Sequence, residues 1–175
     1  MQIGAKLMMT GGAALGAGAL ATPAIAQTLE VSFTIPRLSV AEYHRPYVAI
    51  WIEKEGAPAR TLSILYDVGK RNNAGAKWVR DVRRWWRVAG RSQALPADGI
   101  SGATRAPGTH KLSFASGKGG MPTLTPGKYT LVVEAAREVG GTELVRVPLT
   151  VSGAGAKGSA AGSTELGAVS AILTR

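Results

Sequence analysis

Residues 98–104, with the sequence D-G-I-S-G-A-T, carry the side chains of this chain whose types and spacing best suit a chemical step. The run ends on the hydroxyl of Thr104 and contains the carboxylate of Asp98 six positions upstream. Gly102 permits close approach to the backbone, and Ala103 adds almost no bulk. We therefore expect an exposed, deformable loop whose last hydroxyl another protein can approach closely.

This run resembles the motif on which ApbE-type flavin transferases act, in which FMN is joined to the last threonine through a phosphoester bond. The motif is known from the flavin-carrying subunits of sodium-pumping NADH:quinone reductases and of Rnf complexes. The resemblance implies covalent FMN on Thr104, and the matching core and upstream acid are Ser101, Gly102, Ala103 and Asp98. The plain alternative is an ordinary surface turn, since Asp-Gly and Ser-Gly are favoured turn pairs.

Four further side chains are candidates for holding the attached flavin. Arg105 follows the acceptor and Arg84 lies on a predicted helix, and a guanidinium can hold the remaining phosphate charge through charge-assisted hydrogen bonds. Trp85 offers an aromatic face for the isoalloxazine ring, and His110 lies six residues after the acceptor. The alternatives are a solvated arginine face, a tryptophan in the core, and a histidine bonded to backbone at a strand edge.

The elements that must position these residues are mostly strands. Alternating or β-branched apolar runs predict seven of them, at 29–35, 46–53, 60–67, 108–115, 128–137, 143–151 and 164–173. Apolar residues at helical spacing predict one amphipathic helix at about 76–89, ending at Gly90, with Trp51 and Trp78 in the core. The fold class is therefore mainly β, an antiparallel two-sheet β-sandwich of immunoglobulin-like architecture with one inserted helix.

The first 26 residues predict a secretory signal peptide, with Lys6, an apolar run and a small-x-small cleavage site ending at Ala26. Residues 27–175 then form one domain, in which the Gly/Ala/Ser-rich stretch 152–163 is expected to be a flexible connection. The chain has no cysteine, which excludes thiol chemistry and iron–sulfur clusters. Its net charge of +10 suits an anionic partner or membrane surface, while secretion argues against nucleic acid.

The whole mature chain also resembles a family of predicted periplasmic proteins of unknown function. The phrases that carry this resemblance are A-E-Y-H-R-P-Y-V-A-I-W-I-E, R-R-W-W-R, S-G-A-T-R-A-P-G-T-H and G-K-Y-T-L-V-V-E-A-A-R-E. Members of that family occur with flavin transferases and with membrane proteins of the PepSY type. The resemblance implies a periplasmic location and a redox context.

Three functions remain open on the sequence. The first is an electron carrier with FMN on Thr104, modified by an ApbE-type transferase and reduced by a membrane partner such as a PepSY-type protein. The second is a ligand-binding accessory protein in metal or haem uptake that uses the loop 43–45, Tyr-His-Arg. The third is a structural envelope protein. No metal site is expected. Because the chain lacks the common catalytic motifs, we expect a redox carrier more than a free-standing enzyme.

Overall fold

The computed structural model describes residues 26–175, so the expected signal peptide lies outside the described residues except for Ala26. Within residues 26–175 nine strands form two sheets, of four and five strands. The strands are β1 (Thr28–Ile35), β2 (Tyr47–Glu53), β3 (Arg60–Tyr66), β4 (Ser101–Ala103), β5 (Gly108–Ala115), β6 (Gly127–Ala136), β7 (Thr142–Val151), β8 (Ala156–Ala161) and β9 (Ala168–Thr174). The expected mainly β, two-sheet sandwich is confirmed.

The strand order is β5-β1-β9-β8 in one sheet and β4-β3-β2-β6-β7 in the other. Neighbouring strands run antiparallel, as predicted, with one exception: β4 pairs with β3 in parallel. A parallel pair needs a crossover connection of about a dozen residues or more, and residues 67–100 supply it. The purely antiparallel prediction was therefore wrong at this edge, where the motif lies.

Two of the nine strands were not predicted. β4 is only three residues long and has no β-branched side chain. β8 lies in the stretch 152–163, which was expected to be a flexible connection and is instead an ordered edge strand paired with β9. Its small residues have a packing reason, because a Cβ on Gly158 would lie 2.5 Å from the carbonyl oxygen of Pro148 in β7.

The main core fills the space between the sheets. Along β1 and β7 alternate residues point inward, so that every second side chain is buried over most of their length. The largest contributors are Leu29, Phe33, Ile35, Ile50, Leu62, Leu65, Leu124 and Leu131, all 3% exposed or less. At roughly 1.5–3 kcal/mol for each fully buried large side chain, this layer is the main source of stability.

A second apolar cluster lies on the outer face of the five-stranded sheet. It joins Ala49, Trp51, Ile64, Tyr66, Val132 and Ala136 from the strands to Val79, Val82 and Trp85 from the crossover. The crossover therefore covers this face and makes β2, β3 and β6 buried on both sides. This explains why those strands read as nearly continuous apolar runs.

The crossover is not the continuous helix predicted at 76–89. It consists of a 3-10 helix Arg71–Asp81, an α-helix α1 (Arg83–Val88) and a short 3-10 helix Gly90–Ser92. The break falls at Val82, whose ψ of 74° is not helical. The helix restarts there because the Glu134 carboxylate of β6 accepts the N–H groups of Arg84 (2.9 Å) and Trp85 (2.7 Å), in place of a local N-cap.

Of the two tryptophans predicted to lie in the core, one is buried and the other is exposed. Trp51 is fully buried, as expected, whereas Trp78 is 55% exposed and was wrongly assigned to the core. The reason is the 3-10 geometry, with close to three residues per turn, which directs Val79 and Val82 toward the sheet and leaves Trp78 outside. None of the helices in residues 26–175 is long and apolar enough to cross a membrane.

Candidate functional site

The acceptor motif lies at the edge of the five-stranded sheet. Ser101, Gly102 and Ala103 form β4 and pair with Ile64, Leu65 and Tyr66 of β3. The ladder continues one residue further, since the backbone N–H of Thr104 donates to the carbonyl oxygen of Tyr66 at 3.2 Å. Thr104 is half-buried, and its neighbours Ala103 and Arg105 are exposed. Thr104 thus follows a short edge strand and does not lie in the free loop that was expected.

A tight turn leads into this strand. The N–H groups of Ile100 and Ser101 both donate to the carbonyl oxygen of Ala97, at 3.2 and 2.9 Å. The Ser101 hydroxyl accepts the Ala97 N–H at 2.9 Å, so this side chain closes the turn. Gly99 has a φ of +66° and lies against Gly119, which suits glycine at both positions. Asp98 is exposed at the tip of the turn.

Gly102 has a structural role besides the access expected for it. A Cβ at this position would lie 2.8 Å from Cδ2 of Leu65, so glycine lets β4 lie close to the core. Because side chains alternate along a strand, the extended ladder turns Thr104 to the same face as Gly102, toward the space between the sheets. Ala103 is directed to the other face and is exposed.

His110 lies close to the acceptor loop. Residues 104–107 cross from β4 to β5, the edge strand of the other sheet, and His110 is the third residue of β5. Its Nε2 atom lies 2.7 Å from the carbonyl oxygen of Ala106, two residues after Thr104. Its ring packs against Phe33, with centroids 5.6 Å apart. The structure therefore gathers residues 98–105 and His110 at one edge of the sandwich.

Trp85 is not part of this group. Its side chain is fully buried, and its Nε1–H donates to the Thr61 hydroxyl at 3.0 Å, near the start of β3. Tyr66, at the other end of that strand, is five residues from Thr61 and about 16 Å away at roughly 3.3 Å per residue, and Thr104 lies beyond it. The structure therefore does not bring Trp85 together with the motif, because its buried indole ties the crossover to the sheet near the start of β3.

Arg84 is also distant from the motif. Its backbone bonds Glu134, and the row across the sheet runs from Glu134 through Ala49 and Ile64 to Ser101. Three strand spacings of about 4.8 Å make this separation about 14 Å. Burial of the Glu53 carboxylate raises its pKa, while hydrogen bonds and the nearby charges of Arg146 and Arg84 lower it below its ordinary value. Since Glu53 ends β2 far from Thr104, the Arg84 charge acts at the opposite end of the sheet.

The loop 43–45 borders the same end of the sandwich as Thr104. The Nε2 atom of His44 lies 2.9 Å from a Glu42 oxygen, and Nδ1 lies 3.7 Å from a Glu138 oxygen. Burial raises the pKa of the Tyr43 phenol, although the charge of Arg137 opposes it. Among residues 26–175, the Tyr43 hydroxyl is the one buried side-chain polar atom without a hydrogen-bond partner. Within the same residues, no group of three or more His, Cys, Asp or Glu side chains could hold a metal ion.

Two carboxylates that the sequence did not single out fix the loops at this end. Glu165 forms a bidentate pair with Arg137, at 2.9 and 3.0 Å, and accepts the Gly141 N–H, so it joins the β6–β7 hairpin to the β8–β9 connection. Glu143 accepts hydrogen bonds from Ser163, Thr164 and Leu166. The residue types gave no signal, because each partner is at least 20 residues away in the chain.

Two surface cavities lie apart from the motif. One of about 500 Å³ is lined by Lys54, Val88 and Tyr129, and one of about 290 Å³ by Arg45, Trp78 and neighbouring residues. No residue of 98–105 lines either of them.

Comparison with known proteins places the chain in a family. Residues 28–168 match the model of a family described as "Predicted periplasmic protein (DUF2271)", and the match covers more than half of the chain. No curated protein and no solved structure matches the chain. The periplasmic location expected from the sequence agrees with the family description. On this match, the chain belongs to the DUF2271 family of predicted periplasmic proteins.

Proposed function

We propose that this periplasmic protein carries one FMN on Thr104 and transfers electrons between a membrane reductase, such as a PepSY-type protein, and an acceptor in the cell envelope. The observation that carries the proposal is the run D-G-I-S-G-A-T, together with the position of its threonine directly after a short edge strand. The redox chemistry belongs to the flavin, and the protein supplies attachment and partner surfaces.

The attachment step is a transfer from FAD by an ApbE-type transferase. The Thr104 oxygen forms a bond to the phosphorus of the FMN half and loses its proton, while the bond between the two phosphates breaks and AMP leaves. The product is a phosphodiester with one negative charge. Arg105 is adjacent in the chain, and a guanidinium there suits this charge.

The local structure supports access by a transferase. β4 has only three residues and a neighbour on one side only, so few hydrogen bonds must open to release the acceptor. Ala103 and Arg105 are exposed on either side of Thr104. Release of this short edge strand would expose the half-buried Thr104 and leave the antiparallel part of the sheet intact.

The test is co-expression with an exported flavin transferase, followed by intact mass measurement and fluorescence of the denatured band. We expect wild-type protein to gain the mass of FMN less one water and to fluoresce. Thr104→Val, which keeps the shape but removes the hydroxyl, should gain nothing. Thr109→Val is the matched control, because this exposed threonine lies five residues further on, and it should be modified as the wild type is.

Two results would contradict the proposal. One is an unmodified wild-type mass in cells where the same transferase modifies another acceptor protein. The other is a flavin adduct that persists in Thr104→Val, which would place the attachment at a different residue. Thr104→Ser keeps a hydroxyl at the position, and its modification would show that the reaction needs the oxygen and not the methyl group.

A further inference from the structure

The crossover carries an unusual concentration of positive charge. Residues 71–91 contain seven basic side chains and one acidic one, Asp81, which gives a net charge of +6 in a chain whose total is +10. All seven basic residues are exposed. We call them the arginine face: Arg71, Lys77, Arg80, Arg83, Arg84, Arg87 and Arg91. Among the ion pairs formed within residues 26–175, none includes a member of this face.

The packing of the crossover directs these charges outward. Val79, Val82 and Trp85 are buried against the outer face of the five-stranded sheet. Arg80 and Arg84 alternate with these buried positions and are exposed. Unpaired like charges held this close repel one another, so the surface gains from an anionic partner that neutralises them.

One large apolar side chain stands among these charges. Trp78 is 55% exposed and is the one exposed large hydrophobic residue of segment 71–91. Tryptophan is enriched where a surface meets the headgroup region of a bilayer, because its ring is apolar and its N–H is polar. Arginine forks match phosphate oxygens, and six of the seven basic residues are arginine.

We propose that the arginine face, with Trp78, binds the surface of an anionic phospholipid bilayer. Clusters of four to eight basic residues on an amphipathic surface are typical of such binding. An acidic protein partner fits less well, since the centres of protein interfaces are depleted in charged residues, and segment 71–91 exposes one large apolar side chain against seven basic ones. The inference concerns binding to lipid and does not depend on flavin attachment to Thr104.

The experiment is sedimentation of the mature protein with vesicles. We expect binding to vesicles containing phosphatidylglycerol, none to pure phosphatidylcholine, and release at about 0.5 M salt because surface charge is then screened within a few ångströms. The triple variant Arg80→Gln/Arg84→Gln/Arg87→Gln should bind at least about tenfold more weakly. Trp78→Ala should weaken binding severalfold and leave the salt dependence unchanged.

A matched triple variant distinguishes binding by the arginine face from binding that depends only on the net charge of the protein. Lys111→Gln/Lys118→Gln/Lys157→Gln also removes three exposed charges, from β5, the following loop and β8, and should bind nearly as wild type does. An equal loss of vesicle binding in both triple variants would overturn the proposal. So would a wild-type protein that does not bind vesicles containing phosphatidylglycerol. Retention on poly-L-glutamate without vesicle binding, lost in the arginine variant, would favour an acidic protein partner instead. Urea unfolding of each variant confirms that it is folded.

Discussion

Glu143 offers a sharp test of how the connection between β8 and β9 is held. This half-buried carboxylate of β7 accepts the backbone N–H groups of Ser163 (2.7 Å), Thr164 (3.0 Å) and Leu166 (2.7 Å), and also the Ser163 hydroxyl (3.1 Å). Both oxygens are used by two donors each. In Glu143→Gln one of the two positions becomes an amide NH₂, which faces donors and cannot accept from them.

The pKa of Glu143 sets the size of the effect. Burial raises the pKa, but the hydrogen bonds from Ser163, Leu166 and Thr164 outweigh burial and lower it from 4.5 to about 2. At 1.36 kcal/mol per pKa unit this is about 3.4 kcal/mol. Because the carboxylate is only half-buried and water screens it, we expect about half of this, roughly 1.5–2 kcal/mol, to be lost in the variant at pH 7.

The pH dependence follows from the sign of the shift. The folded pKa lies below the unfolded one, so the stabilisation is complete above about pH 4.5 and is lost as the pH falls toward 2. At pH 3 the unfolded chain has taken up the proton and most folded molecules have not. More than half of the contribution should therefore be gone at that pH.

The assay is urea unfolding of wild type and Glu143→Gln at pH 7 and pH 3. Subtracting the two free energies of unfolding at each pH cancels the other titrating groups. Glu55→Gln, at an exposed position in the turn after β2, is the control and should change stability little at either pH. A Glu143→Gln penalty that is the same at both pH values would refute the reasoning, because the loops would then be held by shape and not by the carboxylate charge.

Two further changes test the buried polar contacts. Arg137→Leu leaves the Glu165 carboxylate buried beside an apolar side chain, and we expect the free energy of unfolding in urea to fall by about 3–5 kcal/mol. The double variant Arg137→Leu/Glu165→Leu should recover part of this loss. If it recovers none, the loss does not come from the ion pair. Glu134→Gln removes one acceptor for the α1 N–H groups of Arg84 and Trp85. We expect the free energy of unfolding to fall by about 1–2 kcal/mol and the helical circular dichroism signal to decrease. An unchanged signal would mean that α1 does not need this cap.

The sequence predicted the strands that have an apolar face and missed those that do not. Seven strands were predicted from alternating or β-branched runs, and six of them agree with the observed bounds within one residue. The seventh, predicted at 164–173, begins four residues later, at Ala168. β4 and β8 are built from Gly, Ala, Ser and Lys, which carry no periodic apolar signal. What makes β8 a strand is tertiary: β9 supplies its hydrogen bonds, and small residues such as Gly158 let it lie against Pro148.

The candidate site was predicted in part for a similar reason. Residues close together in the chain, such as Thr104, Arg105 and His110, do lie together, because β4 and β5 are joined by a short connection. Arg84 and Trp85 were placed by helical periodicity, which gives the buried side of a helix but not the strand it covers. Their location is fixed by hydrogen bonds from their backbone N–H groups to Glu134, about 50 residues away in the chain. No pattern in the sequence predicts this long-range cap.

The position of β4 also bears on the order of biosynthetic events. Because it is the outermost and shortest member of its sheet, the remaining four strands keep their antiparallel hydrogen bonds whether or not β4 stays docked. Under the proposed function, the adduct on Thr104 would therefore be added to a polypeptide that is already folded. Modification would then not be coupled to folding, and folded but unmodified molecules would form a pool on which the transferase acts.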